Sequence, residues 1–139
     1  MSIVIETLEN GVIKTWDEDT SIYTFALPNS NRATTDTYID AVLESIRNWD
    51  TSKPYYGIED ITNPNISLTP YMRGRLPEIT KLFKEREITA YIGLIMDSSF
   101  TAGVMKAFGR ILSMNNRFIT INSFTDISKA QEWLIQQKS

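Results

Sequence analysis

The segment at residues 88–96 constrains the fold of this 139-residue chain more than any other. It reads ITAYIGLIM and is almost continuously apolar, whereas a strand with one solvated face alternates apolar and polar side chains. A run of this kind is typical of a strand covered on both faces of a parallel sheet, and parallel strands need crossover connections, usually helices. The segment predicts an α/β fold and indicates that this strand is the central one.

The opening of the chain predicts an antiparallel meander. Segments 3–8, 12–16 and 21–27 are short and rich in β-branched and aromatic residues. Asn10-Gly11 lies between the first two and supplies the positive φ angles of a tight hairpin turn. A polar turn at residues 17–20 separates the second and third segments, so three antiparallel strands are expected.

The rest of the chain alternates between helical and strand patterns. Thr34-Thr35-Asp36 offers caps for a first helix, a strand is predicted over residues 54–61, and Thr69-Pro70 begins a second helix. Pro77 cannot donate to the carbonyl of Arg73, so we expect that helix to kink or break near Leu76.

Three further elements follow the apolar segment: a third helix over 103–112, a strand over 117–122 and a helix after Thr125-Asp126. The order βββαβαβαβα predicts one domain spanning residues 1–139. It contains a mixed sheet of about six strands, antiparallel at its N-terminal end and parallel in the remainder, with about four helices.

Composition excludes several kinds of chemistry. The chain has no histidine and no cysteine, so no Ser-His-Asp or Cys-His nucleophile, ordinary zinc site, haem or iron–sulfur cluster is expected, and we predict no cofactor, no metal and no catalytic residue. The net charge of -3 disfavours nucleic acid as a partner. No apolar stretch approaches a membrane span of roughly 20 residues and no signal peptide is evident, which predicts a cytoplasmic protein.

Two loops at the carboxyl ends of predicted parallel strands are where an α/β sheet would place a ligand. If those strands are adjacent, Asp60 and Asp97 lie within reach of each other and could share a proton or hold magnesium. Turn formation and helix capping explain the same side chains without a ligand, and we favour that explanation. The candidate ligand-binding or regulatory residues of the two loops are Asp60, Asn65, Ser67, Thr69, Asp97, Ser98, Ser99 and Thr101.

The pattern resembles the STAS domain superfamily (sulfate transporter and anti-sigma-factor antagonist), particularly small bacterial proteins grouped with STAS and CRAL-TRIO-like lipid-binding folds. The resemblance rests on the opening meander, the strand ending in Asp60, the segment 92–99 with the helix after it, and the closing segment 118–126. Its motifs are specific for a fold more than for a function.

The segment Met96-Asp97-Ser98-Ser99 resembles the antagonist segment whose serine is phosphorylated. Here Phe100 replaces the glycine that follows it in the antagonists. The segment also follows the second strand of the alternating region, whereas in the antagonists it follows the first. The loop at the matching position is 63–69, which makes Ser67 the positional candidate for such a switch.

Three functions remain open. The first is a non-catalytic interaction or regulatory module that binds a protein partner or self-associates as a homodimer. Exposed aromatic residues on the meander would mark its association surface. The second is a carrier of a small apolar or amphipathic ligand, covered by Met72, Leu76 and Phe83 of the second helix. The third is a carboxylate-based enzyme that uses Asp60 and Asp97.

Overall fold

The computed structural model describes residues 2–97, 110 and 117–138. Its strands are β1 (Ile3–Thr7), β2 (Ile13–Asp17), β3 (Ile22–Ala26), β4 (Tyr55–Asp60), β5 (Ala90–Ile95) and β6 (Ile119–Phe124). Its helices are α1 (Arg32–Arg47), α2 (Pro70–Glu85) and α3 (Ile127–Gln137), with one 3₁₀ turn at Glu9–Gly11. The helix predicted over 103–112 lies outside the described residues, apart from Arg110.

The six strands form one mixed sheet in the order β1-β2-β3-β4-β5-β6. Strands β1 to β3 are antiparallel, and β3 to β6 are parallel. The α/β class and the opening meander are therefore confirmed. The apolar segment becomes β5, which is interior to the parallel part but lies next to the edge strand β6. Its prediction as the central strand was wrong because the meander adds three strands beyond β4, which moves the middle of the sheet to β3 and β4.

The first hairpin turns where the Asn-Gly pair predicts. Asn10 has φ 60° and Gly11 has φ 77°, and the Val12 amide donates to the carbonyl of Glu9. The Asn10 side-chain amide also donates to the Ala33 carbonyl and, at 2.9 Å, to the Thr37 hydroxyl. These hydrogen bonds connect the hairpin to the first two turns of α1.

Helix α1 begins earlier than the sequence indicates. Asn31 is its N-cap, and its side-chain oxygen accepts from the Thr34 amide at 2.9 Å. Thr34 and Thr35 are buried inside the first turn, where the Thr35 hydroxyl donates to the Ser30 carbonyl. Asparagine caps as well as threonine, so the earlier residue begins the helix.

Helix α2 runs as one helix through Pro77, so of the expected kink or break near Leu76 the break does not occur. Pro77 lies on the exposed face of the helix, where water can satisfy the Arg73 carbonyl that loses its amide donor. The opposite face is buried against the sheet and holds the helix on both sides of the proline. Its buried residues are Met72, Leu76, Ile79 and Phe83.

An arginine of α2 joins the two helices that share a face. The Arg75 guanidinium reaches Asp36 and Asp40 of α1 at 2.9 Å each, and Glu78 of α2 at 2.8 Å. The Tyr71 hydroxyl also donates to Asp36. Because the guanidinium is largely covered while its acidic partners are exposed, it acts as a clamp at the outer rim of the helix pair.

The core lies on both faces of the sheet. Helices α1 and α2 cover one face in a large apolar cluster, and α3 covers the other with Ala130 and Leu134. Asp126 caps α3, as predicted, by accepting from the Ser128 amide. A Cβ placed on Gly93 of β5 would lie 3.2 Å from the Cβ of Ala130, so α3 sits directly on the sheet there. None of the helices in the described ranges is long and apolar enough to cross a membrane.

Candidate functional site

Two of the predicted site residues stabilise the local backbone. The Asp60 carboxylate accepts from the Thr62 amide at 3.1 Å and from the Thr62 hydroxyl at 2.7 Å. Thr69 is the N-cap of α2, and its hydroxyl oxygen accepts from the Met72 amide at 3.1 Å. Both contacts are the turn and cap roles that the sequence favours for these residue types.

The loop between them is held by short-range contacts and by one residue from before α1. The Ser67 amide donates to the buried Ser30 hydroxyl at 2.8 Å, and the two hydroxyls lie 3.5 Å apart. The Asn65 amide donates to the Asn63 side chain at 2.9 Å. The residues Asn65 and Ser67 are both exposed, so their side chains border solvent at the carboxyl end of β4.

The second predicted loop is described only at its start. Asp60 pairs with Ile95 in the β4–β5 ladder, and Asp97 follows two residues later as an exposed residue. The two carboxylates therefore belong to neighbouring strand ends. Ser98, Ser99 and Thr101 lie outside the described residues. In the part of the chain that the structure describes, no three acidic side chains gather into a group that could hold a metal ion.

The most unusual acidic residue is the one next to Asp60. Glu59 is only 3% exposed and points, with its ladder neighbours Phe25 and Leu94, into the core beneath α1 and α2. Its Oε2 atom has no hydrogen-bond partner among the described residues. The sequence pattern drew attention to Asp60 at the end of this strand and gave Glu59 no role. A signal was nevertheless present: successive residues of a strand point to opposite faces, so a strand that is covered on both faces buries Glu59 as well as Ile58.

Tyrosines and apolar side chains surround this carboxyl. Burial raises the pKa of Glu59 to about 8, against the opposing effect of a hydrogen bond from Tyr38. Tyr55 lies beside it, and its hydroxyl is 2.8 Å from that of Ser45, which donates to the Val42 carbonyl.

A cavity of about 10 Å³ adjoins the carboxyl, which is room for about one water molecule. Its lining residues include no lysine or arginine. Glu59 is therefore held largely neutral at pH 7, and in the part of the chain that the structure describes its carboxyl faces this enclosed cavity rather than an open cleft. The residues that line the cavity are Tyr38, Val42, Tyr55, Glu59, Ile79, Phe83, Ile92 and Ile119.

Four of the six large apolar side chains that are exposed in the described part of the chain lie at the β1 edge of the sheet. All five residues of β1 are exposed, including Ile3 at 46%, Val4 at 53% and Ile5 at 67%. Ile13 of the paired strand is 40% exposed. Because β1 is the first strand in the sheet order, its outer side has no neighbouring strand among the described residues. We call these four residues the β1 surface.

The two sides of β1 face different parts of the molecule. Ile3 and Ile5 lie on the face of the sheet that carries α3, in register with Ile22 and Ile58 through the intervening strands. Helix α3 packs on β4, β5 and β6, so the face formed by β1 and β2 lies beyond it. Val4 lies on the other face, opposite Trp16.

The aromatic side chains near β1 are partly buried rather than displayed. Trp16 packs against Tyr23, with ring centroids 4.5 Å apart, and meets Trp49 edge-on at 5.9 Å. All three are of intermediate exposure. The side chains most exposed on the meander are therefore aliphatic, not the exposed aromatic residues that the sequence suggested as a mark of an association surface.

Comparison with protein-family models, with curated proteins and with solved structures finds no significant match to this chain.

Proposed function

We propose that this chain is a non-catalytic interaction module and that the β1 surface is its binding surface. One observation carries the proposal: three consecutive apolar residues, Ile3, Val4 and Ile5, are exposed on a strand that has a neighbour on one side only. Edge strands of monomeric proteins are usually protected by charged side chains, above all lysine, by proline or by a bulge, and the one charged residue of β1 is Glu6, which follows the apolar run. β1 contains neither lysine nor proline, and it pairs with β2 without a bulge from Ile3 to Thr7.

The other two functions have less support in the described residues. For a carboxylate enzyme, the Asp60 carboxylate is engaged with Thr62, and Glu59 is sealed in the core. For a carrier, the cavity under α1 and α2 has room for about one water molecule, far less than a lipid needs. The proposal also includes two points that agree with an interaction module. One is the resemblance to STAS domains, with a fourth helix, and the other is a cytoplasmic location.

Site-specific photo-crosslinking in the source cell tests the proposal. A photoreactive amino acid at Ile5 or Ile13 should give one discrete, reproducible adduct, because a bound partner covers those positions. The matched control carries the same group at Glu85, an exposed residue at the end of α2 on the opposite face of the sheet. Absence of an adduct at Ile5 and Ile13, or equal adducts from Glu85, would contradict the proposal.

A further inference from the structure

We infer that the partner of the β1 surface is a second copy of this chain, whose β1 pairs antiparallel with the first across a two-fold axis at Val4. The inference rests on the proposed function and names its partner. The pairing would join two six-stranded sheets into one sheet of twelve strands. Three features of β1 support it: the direction of its backbone groups, the pattern of its apolar side chains and the position of its one charge.

The backbone of β1 presents a complete set of hydrogen-bonding groups to a second strand. The Ser2 carbonyl accepts from the Glu18 amide, and the Leu8 amide donates to the Val12 carbonyl, so the even-numbered residues point toward β2. Because successive residues of a strand point to opposite sides, the N–H and C=O groups of Ile3, Ile5 and Thr7 point outward. An antiparallel partner can exchange hydrogen bonds only with these residues.

A two-fold axis at Val4 brings the apolar side chains together. Ile3 of one copy then faces Ile5 of the other, twice, and the two Val4 residues face each other at the axis. The Ile3–Ile5 pairs are formed by outward-pointing residues and can exchange backbone hydrogen bonds, while Val4–Val4 is a non-hydrogen-bonded pair. The register is thus consistent with the backbone and buries apolar side chains against each other.

The single charge of β1, on Glu6, distinguishes this register from the neighbouring one with its axis at Ile5, which the backbone also allows. With the axis at Val4, Glu6 faces Ser2 of the other copy, and the two glutamates lie far apart. With the axis at Ile5, Glu6 faces Val4, and the two glutamates become diagonal neighbours at about 7–8 Å, which is unfavourable for like charges. Within one copy, Glu6 already pairs across the ladder with Lys14. Charge and apolar pattern therefore favour the same axis.

Single cysteines can report the register because the chain has no cysteine of its own. In the proposed dimer the Cα atoms of the two Val4 residues are about 4.5 Å apart, within the range that a disulfide spans. The two Ile3 residues, and likewise the two Ile5 residues, are offset along the strands by two positions, at roughly 8 Å or more, which a disulfide does not bridge. Under mild oxidation Val4→Cys should cross-link at least about fivefold faster than Ile3→Cys or Ile5→Cys.

Ile5→Cys is a stringent control for Val4→Cys. Ile5 is more exposed than Val4, so cross-linking through random collisions would favour Ile5→Cys. Faster cross-linking of Ile5→Cys would overturn the axis at Val4. Equal slow cross-linking of all three variants would overturn antiparallel self-pairing altogether.

A second measurement uses the mass of the chain in solution. The unmodified chain should show twice its 15.9 kDa by light scattering, and Ile5→Pro should shift it to the monomer. Proline removes only the outward-pointing N–H at this position, so the β1–β2 ladder is retained. Ile5→Val is the matched control and should remain dimeric. A monomeric unmodified chain, or a dimer that Ile5→Pro leaves intact, would overturn the inference.

These outcomes are separable from those of the proposed function. A monomeric purified chain that forms an adduct with a different protein at Ile5 in the cell would overturn self-pairing and leave the interaction module standing. A monomeric chain without any adduct at Ile5 or Ile13 would overturn both.

Discussion

Replacing Glu59 with glutamine measures what the buried carboxyl costs the folded protein. The pKa of Glu59 is about 8 in the folded chain, against 4.5 for an unperturbed glutamate. Each unit of difference corresponds to about 1.36 kcal/mol. Glutamine has nearly the same shape and stays neutral at every pH, so Glu59→Gln removes the cost of ionisation while retaining the packing beneath α1 and α2.

The sign of the effect follows from the raised pKa. Below about pH 4.5 the carboxyl is neutral in both the folded and the unfolded chain, so its raised pKa does not lower the free energy of unfolding there. As the pH rises from 4.5 to about 8, the unfolded chain ionises while the folded chain keeps its proton, so the free energy of unfolding falls. The loss reaches about 3 kcal/mol at neutral pH and levels off at about 5 kcal/mol above the folded pKa.

Urea unfolding at several pH values tests this prediction. The two chains should be similar in stability near pH 4.5, and Glu59→Gln should become the more stable one as the pH rises, by about 3 kcal/mol at neutral pH. Asp60→Asn is the control: it alters the next acidic residue of the same strand, but at a partly exposed position, and asparagine keeps the oxygen that accepts from Thr62. If the unmodified chain and Glu59→Gln show parallel pH profiles, the reasoning about Glu59 is refuted.

Three further predictions concern stability and are checked by urea or thermal unfolding. Arg75→Met should cost about 1 kcal/mol, less at high salt, because it leaves the carboxylates at the rim of α1 and α2 unpaired; an equal cost at all salt concentrations would contradict this. Asn10→Ala should cost about 1–2 kcal/mol because φ is 60° there, while Asn10→Gly should cost less, losing only the hydrogen bonds to α1. Gly93→Ala should cost about 1 kcal/mol or more because the new Cβ meets Ala130, and a neutral result would show that α3 can move away freely.

The elements predicted correctly are those that local rules determine. Asn10-Gly11 readily adopts the two positive φ angles of the turn, and Thr69-Pro70 combines a cap with a residue that is favoured at the first position of a helix. The apolar run at residues 88–96 is long enough to require burial on both faces. In each case neighbouring residues determine the structure whatever surrounds them.

The predictions that failed depend on where an element sits in the whole molecule. Pro77 does not interrupt α2 because it lies on the exposed face, and the sequence does not show which face that is until the helix is docked. The burial of Glu59, which the sequence did not single out, depends on the two crossovers, β3–α1–β4 and β4–α2–β5, that place both helices over one face of β4. The exposure of Ile3 and Ile5 likewise depends on the position of α3, which covers the same face of the sheet but only over β4, β5 and β6. The sequence of β1 does not predict that position.

The order of the strands has a consequence for how the chain folds. Every strand pairs with the strand just before it in the sequence, so no strand has to insert later between two that are already paired. Pairs within the meander join residues that are close in sequence, such as Ile3 and Asp17, and favour fast formation, whereas the parallel pairs, such as Ile22 with Tyr56, span a whole crossover and form more slowly. During synthesis the sheet can grow one strand at a time from β1, and the meander with α1 is complete once residue 47 has left the ribosome. The β1 edge is therefore synthesised before β5, β6 and α3, so it is the first part of the sheet that needs a partner or protection.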